Sequence, residues 1–158
     1  MSNLSFISKL IERVVASRFT DHLACNGLHE IYQSAYKQHH STETALLKVQ
    51  NDMLLSIDAT GGAALVLLDL SAAFDTIDHD ILLKRLYDLG VQGMALEWFK
   101  SYLHDRKQSV VIYWSISEAS ILNFGVPQGS VLGPILFTIY TIPLGNIARK
   151  YGLNYHLY

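Results

Sequence analysis

Ala63-Ala-Leu-Val-Leu-Leu-Asp-Leu-Ser-Ala-Ala-Phe-Asp75 is an apolar run that leads into a turn. Residues 63–70 are apolar except for Asp69, with Gly61-Gly62 before them and turn-formers after, a pattern that predicts an interior strand. A carboxylate at the end of such a strand is costly to bury unless it is paired or metal-bound. Two readings of Asp69 follow from residue chemistry: it bonds local amides at the strand end, or it is a ligand for a hard cation. Mg²⁺ suits the second, since it takes one or two carboxylates together with substrate phosphates. Phe74, on the turn that follows, is either a core aromatic or a group standing beside that cation. Asp75, Asp78 and Asp80 read as a turn and helix-cap cluster favoured by the helix dipole. A metal triplet at Asp78-His79-Asp80 is disfavoured, because neighbours on a helix point in different directions.

Working outward, helical spacing is clear on both sides. Phe6, Leu10, Val14 and Ile7, Ile11, Val15 predict a helix over about Ser5 to Ala24, stopped by Gly27. A loop from Leu28 to His40 precedes a second helix, about Thr42 to Ile57, with Ser41 as N-cap and Leu46, Val49 and Met53 on one face. Asp78 caps a helix over His79–Tyr87, closed by Gly90. Another spans about Met94 to Leu103 and buries Ala95, Trp98, Phe99 and Tyr102. Ser109–Trp114 and Ala119–Phe124 read as a hairpin joined through Ser115–Glu118. A helix starts at about Val131, and Tyr155–Tyr158 reads as the beginning of an apolar strand. The expected class is α+β with a mostly antiparallel sheet.

Composition narrows the function. The chain has 158 residues, 50% of them hydrophobic and 16% charged, with a formal net charge of −2. That is enough chain for one domain with a real core and excludes a disordered or strongly charged tail. The lone Cys25 excludes a disulfide framework and a cysteine-based zinc site. Val131 to Leu144, broken by glycine, proline and threonine, is too short to span a membrane. Ser2–Leu10 lacks the basic start and apolar block of a secretory leader, and the expected setting is intracellular, with nucleus and cytoplasm both open. Near-neutral charge gives no bulk attraction to nucleic acid, so such a partner must be held by local chemistry.

A second candidate stretch is Gly125-Val-Pro-Gln-Gly-Ser-Val-Leu-Gly-Pro134. Gly125 and Gly129 permit close backbone approach, and Pro127 stiffens the turn between them. The helix start beyond offers free N–H groups to an anion. No Gly-Lys-Ser/Thr follows, so it is not a Walker loop.

Leu68-Asp-Leu-Ser-Ala-Ala-Phe-Asp-Thr-Ile-Asp-His79, followed by that glycine-rich stretch, resembles the reverse transcriptases of non-LTR (LINE-type) retrotransposons. Ser2-Asn-Leu-Ser-Phe6, Gln33-Ser-Ala-Tyr-Lys-Gln-His-His-Ser-Thr-Glu-Thr-Ala-Leu46 and Trp98-Phe-Lys-Ser-Tyr-Leu-His-Asp-Arg-Lys-Gln108 are similar to further motifs of the family, so the likeness covers the whole chain. It implies an incomplete fingers-and-palm part of a right-hand polymerase, with an antiparallel palm sheet backed by helices. Residues 1–62 would be finger-like and 63–158 a partial palm.

The resemblance implies these roles. Asp69 would bind both catalytic Mg²⁺ ions, and the backbone of Leu70, Ser71, Ala72 and Ala73 would cradle the incoming deoxynucleoside triphosphate. Phe74 would fill the space of a ribose 2′-OH, and Gln128 and Gly129 would pack against nucleotide and template. Partners would be an RNA template and a DNA primer, with no membrane. The reaction would be two-metal phosphoryl transfer. Three departures bear on it. The family's Tyr-Ala-Asp-Asp hairpin would begin at Tyr158, so the second carboxylate pair is lacking and the chain alone is expected not to polymerise. Lys37 stands where the family has a triphosphate-contacting arginine and Gln38 where it has proline. Lysine offers a point charge without the arginine fork. The family's lead-in before Ser2 and its thumb are also missing. Other classes consistent with the residues are a non-catalytic RNA- or protein-binding remnant and an unrelated Mg²⁺-dependent phosphohydrolase using Asp69.

Overall fold

The computed structural model of the protein describes residues 4–37 and 39–158. Its helices are α1 (Phe6–Cys25), α2 (Thr42–Thr60), α3 (His79–Asp88), α4 (Met94–Leu103) and α5 (Gly133–Lys150). Between α4 and α5 lie four short strands, β1 (Lys107–Gln108), β2 (Val111–Ile112), β3 (Ser115–Ile116) and β4 (Ser120–Ile121). The chain forms two compact units, 1–28 with 72–140, and 29–71 with 141–158. The boundary inside α5 falls near Pro143, which lacks the amide that would bond to the Ile139 carbonyl.

In the first unit the helix ends obey local chemistry. The Ser5 hydroxyl accepts the Ser8 amide at the start of α1, and Asp78 accepts the Ile81 amide at the start of α3. The α3 chain turns out through Gly90, at φ 84°, while the Val91 amide bonds back to the Leu86 carbonyl at 3.0 Å. α4 then packs on α3, with Leu82 and Leu86 of one and Phe99 and Leu103 of the other all buried. Ala95 is exposed and Trp98 and Tyr102 are half-buried, so the buried edge of α4 is narrower than the four residues expected. α1 joins this core through Ala16, Phe19 and Leu23, and the Phe19 and Phe99 rings meet edge to face at 5.4 Å. The apolar rows from Phe6 to Val14 lie on its outer side instead.

The hairpin is real but tighter than expected. Val111 pairs with Ile116 and Ile112 with Ser115, so the turn is Tyr113–Trp114 and not Ser115–Glu118. Tyr113 takes φ 51°, as a two-residue hairpin turn requires. Lys107 pairs with Ile121 and Gln108 with Ser120, one residue out of step with the upper ladder. All four strands are exposed. Among the described residues, the antiparallel strands of the α+β fold are those of these two short ladders.

The second unit overturns the expected strand. Residues 62–70 have no regular secondary structure and are exposed, Leu67 at 83% and Leu68 at 89%. A strand exists only through bonds to a neighbour, and no strand among the described residues pairs with this stretch. Tyr155–Tyr158 likewise forms no strand; Leu157 makes a single parallel bridge to Gln33. α2 carries the capping box of Ser41 and Thr44 and ends on Gly61 at φ 78°. The unit is organised by polar groups. The buried Glu30 carboxylate receives both arms of the Arg149 guanidinium at 2.9 and 3.1 Å, the Tyr155 hydroxyl at 2.6 Å and the Tyr32 amide at 3.3 Å. Gly145 leaves room for this cluster, since a Cβ there would stand 2.6 Å from the Tyr155 hydroxyl.

Burial alone would raise the Glu30 pKa, but the bonds from Arg149, Tyr155 and Tyr32 outweigh it and hold the carboxyl below its ordinary 4.5. Stability from this cluster is therefore present above that value and lost as pH falls through the lower folded one. Thermal unfolding followed from neutral to acidic pH is expected to show that loss, and Glu30→Gln to flatten it. The exposed apolar run at 62–70 is expected to drive association. Light scattering against concentration should show it, and Leu67→Lys with Leu68→Lys should suppress it without loss of the helical signal.

Candidate functional site

The turn after residue 71 and the glycine-rich loop, some fifty residues apart in sequence, are joined in the first unit. The Val126 amide donates to the Phe74 carbonyl and the Gly125 amide to the Ile77 carbonyl, each at 2.7 Å. Beside them, Asp78 and Phe124 form an antiparallel bridge. His79, buried at the start of α3, bonds through Nε2 to the Gly125 carbonyl at 2.8 Å. The contact is possible only because residue 125 is glycine. A Cβ there would stand 2.9 Å from both the Asp75 Cα and the Phe74 carbonyl oxygen, and φ is 86°. Across the same junction the Gln128 amide nitrogen donates to both Asp75 carboxylate oxygens, at 3.3 and 3.1 Å.

Phe74 is half-buried and its ring meets Phe137 of α5 at 5.3 Å. Ala72 is held at φ 53° in a tight turn closed by the Asp75 amide on its carbonyl at 2.8 Å. Ala73 is half-buried, and Gln128 and Gly129 are exposed. Lys37, Asp69, Leu70 and Ser71 belong to the second unit, where all four are exposed. The cost of burying the Asp69 carboxylate, which drew attention to it in the sequence, therefore does not arise. The charge of Lys37 adds to burial in lowering the pKa of His29. Ser2, Asn3 and Gln38 lie outside the described residues.

Downstream, the expected helix begins at Gly133, two residues later than its apolar pattern suggests. Leu132, Leu136 and Ile139 bury one side of it. The Ser130 hydroxyl accepts the Gly133 amide at 2.9 Å. The residue that sequence reasoning missed is Glu12 of α1, 1% exposed. Its Oε2 accepts the Val131 amide at 2.7 Å and the Leu132 amide at 3.3 Å, while Oε1 accepts the Ser8 hydroxyl at 3.2 Å. A signal was there: Glu12 is in helical phase with the buried Ala16, Phe19 and Leu23. Tyr102 lies next to it, and burial, with the Glu12 charge adding and Ser130 opposing, pushes its pKa up to about 12.

Among the described residues no three His, Cys, Asp or Glu side chains converge as a metal site, and no helix is long and apolar enough to cross a membrane. The site so defined is an interlocked turn and glycine-rich loop opening onto an apolar helix, the two motifs on which the resemblance rested. Residues 1–158 match the profile of the reverse transcriptase (RNA-dependent DNA polymerase) family. The chain belongs to that family.

Its relatives include the probable RNA-directed DNA polymerase from transposon BS of Drosophila melanogaster, 35% identical over 91% of this chain and 16% of that protein. The probable RNA-directed DNA polymerase from transposon X-element of the same species is 33% identical over 89% of this chain and 15% of its own length. The RNA-directed DNA polymerase from mobile element jockey of Drosophila funebris is 30% identical over 96% of this chain and 16% of its own. The resemblance to non-LTR retrotransposon polymerases agrees with these relatives, and the chain spans about 16% of their length.

The close contact at residue 125 has a measurable consequence. Gly129 also has positive φ but nothing near its missing Cβ, so Gly129→Ala is expected to cost about 1–2 kcal/mol. Gly125→Ala should cost about 2–5 kcal/mol, because overpacking against backbone adds a further ~1–3 kcal/mol. Denaturant unfolding of the two variants compares them directly.

Proposed function

We propose that this chain is the fingers-and-palm portion of an RNA-directed DNA polymerase, residues 1–62 finger-like and 63–158 palm, within the right-hand architecture. In this reading Asp69 supplies a carboxylate to divalent metal, and the backbone of Leu70 to Ala73 cradles a deoxynucleoside triphosphate. Phe74 excludes a ribose 2′-OH, Gln128 and Gly129 face nucleotide and template, and Lys37 adds positive charge for the phosphates. An RNA template and a DNA primer are the partners.

The observation that supports the reading most is the 2.7 Å bond between the Val126 amide and the Phe74 carbonyl. It joins, in a member of this family, the two stretches that carry the family's nucleotide-facing motifs. The chemistry of the complete site would be two-metal phosphoryl transfer, which needs carboxylates shared by two ions about 3.5–4 Å apart. Asp69 offers an oxygen ligand hard enough for Mg²⁺. In this reading Asp69 is the one carboxylate of that centre that the family's motifs assign to the chain. The 158-residue chain tested alone is therefore expected not to extend a primer.

Nucleotide selection is separable from turnover. In Mg²⁺, the chain is expected to bind a deoxynucleoside triphosphate more tightly than the matching ribonucleoside triphosphate. Phe74→Val should narrow that preference by about tenfold, the effect of ~1.4 kcal/mol of lost discrimination. Equilibrium binding titrations check this. Absence of triphosphate binding, or an unchanged preference in Phe74→Val, would contradict the reading.

A further inference from the structure

The loop that carries Gln128 and Gly129 is suspended between two anchors. Upstream, the Gly125 and Val126 amides bond to the turn at 74–77. Downstream, the Val131 and Leu132 amides bond to the Glu12 carboxylate, a group more than a hundred residues away in sequence. Between them the loop makes bonds of its own, the Ser130 amide to the Pro127 carbonyl at 3.1 Å and the Gly133 amide to the Ser130 hydroxyl at 2.9 Å. Those bonds keep the loop's shape, and the Gln128 side chain adds a tether to the Asp75 carboxylate at 3.3 and 3.1 Å, so what Glu12 supplies is the hold on the backbone at the downstream end.

Glu12 is an unusual choice for a merely space-filling position. A buried carboxylate loses its hydration and must recover it from donors, and here two backbone amides and the Ser8 hydroxyl supply them. Bonds to an ionised acceptor are about twice as strong as neutral ones, and the start of α5 presents the positive end of a helix dipole to it. The neighbouring Tyr102 hydroxyl is buried beside it. The packing of α3 on α4 is carried by the buried Leu82, Leu86, Phe99 and Leu103.

We propose that Glu12 is a positioning residue: its carboxylate anchors the downstream end of the 125–132 loop and, together with the Gln128–Asp75 bonds, fixes where the backbone of Gln128 and Gly129 stands. The significance of that placement rests on the reading of the loop as nucleotide-facing. The test is residue-resolved amide exchange on the whole chain, wild type, Glu12→Ala and Glu12→Gln, with deoxynucleoside triphosphate affinity in Mg²⁺ measured alongside. In Glu12→Ala the amides of Val131, Leu132 and the loop are expected to exchange about tenfold faster or more, through local opening. Those of Leu82, Leu86 and Leu103 should stay within about twofold. Glu12→Gln keeps a neutral acceptor and should fall between, as should its triphosphate affinity. If Glu12→Ala does not fold, the same local pattern in Glu12→Gln decides. Faster exchange spread evenly through the first unit, or no change at the loop, overturns the proposal. A wild-type chain that binds no triphosphate overturns the functional reading alone, since exchange still reports on Glu12.

Discussion

Gly125 has no side chain, and the backbone of Phe74 and Asp75 occupies the place where one would be. Everything that makes the candidate site a site follows from that contact. It brings two amides to carbonyls 2.7 Å away, fixes the turn before α3 to the loop before α5, and lets Gln128 reach the Asp75 carboxylate. His79 adds a side-chain bond to the same carbonyl region, so the start of α3 is part of the lock. The junction's two shortest bonds join main-chain groups, which must be paired when buried.

The two units of the chain solve the problem of burial differently. The first has an apolar centre, with Ile77, Leu82, Leu86, Leu103, Leu132 and Leu136 fully buried, and places one carboxylate, Glu12, inside it with donors on both oxygens. The second has little apolar interior; Ala45 is its one buried apolar residue among those described, while Leu46, Leu47, Leu54 and Leu55 are exposed. Its order comes from Glu30, Arg149 and Tyr155, arranged around the gap that Gly145 leaves. Burial and the Glu30 charge push the Tyr155 hydroxyl up to about 12, so it remains a donor to that carboxylate over the ordinary pH range.

What could be read from the sequence was what local chemistry determines. Ser41, Asp78, Gly61 and Gly90 announce helix ends because capping depends on a few adjacent residues, and α4 falls at the residues its periodicity indicates. Residues 63–70 have a strand's composition, but a strand needs a neighbour, and composition cannot supply one. The hairpin register slipped because Tyr113, at φ 51°, turns the chain where no glycine or asparagine signals it. Both motifs of the candidate site were legible, and so was the family. Their interlock was not, since it depends on which backbone atoms meet across fifty residues. Glu12 was overlooked because a glutamate on an amphipathic helix ordinarily faces solvent, and only its phase with Ala16 and Phe19 marks it as internal.

The central claim is that the turn at 72–78 and the loop at 125–129 form one hydrogen-bonded body. Through-hydrogen-bond scalar coupling, measured by NMR on the isotopically labelled chain, reports such bonds individually. Couplings are expected from the Val126 amide nitrogen to the Phe74 carbonyl carbon and from the Gly125 amide nitrogen to the Ile77 carbonyl carbon. A folded chain in which these two couplings are absent, while those within α3 and α4 are seen, would contradict it.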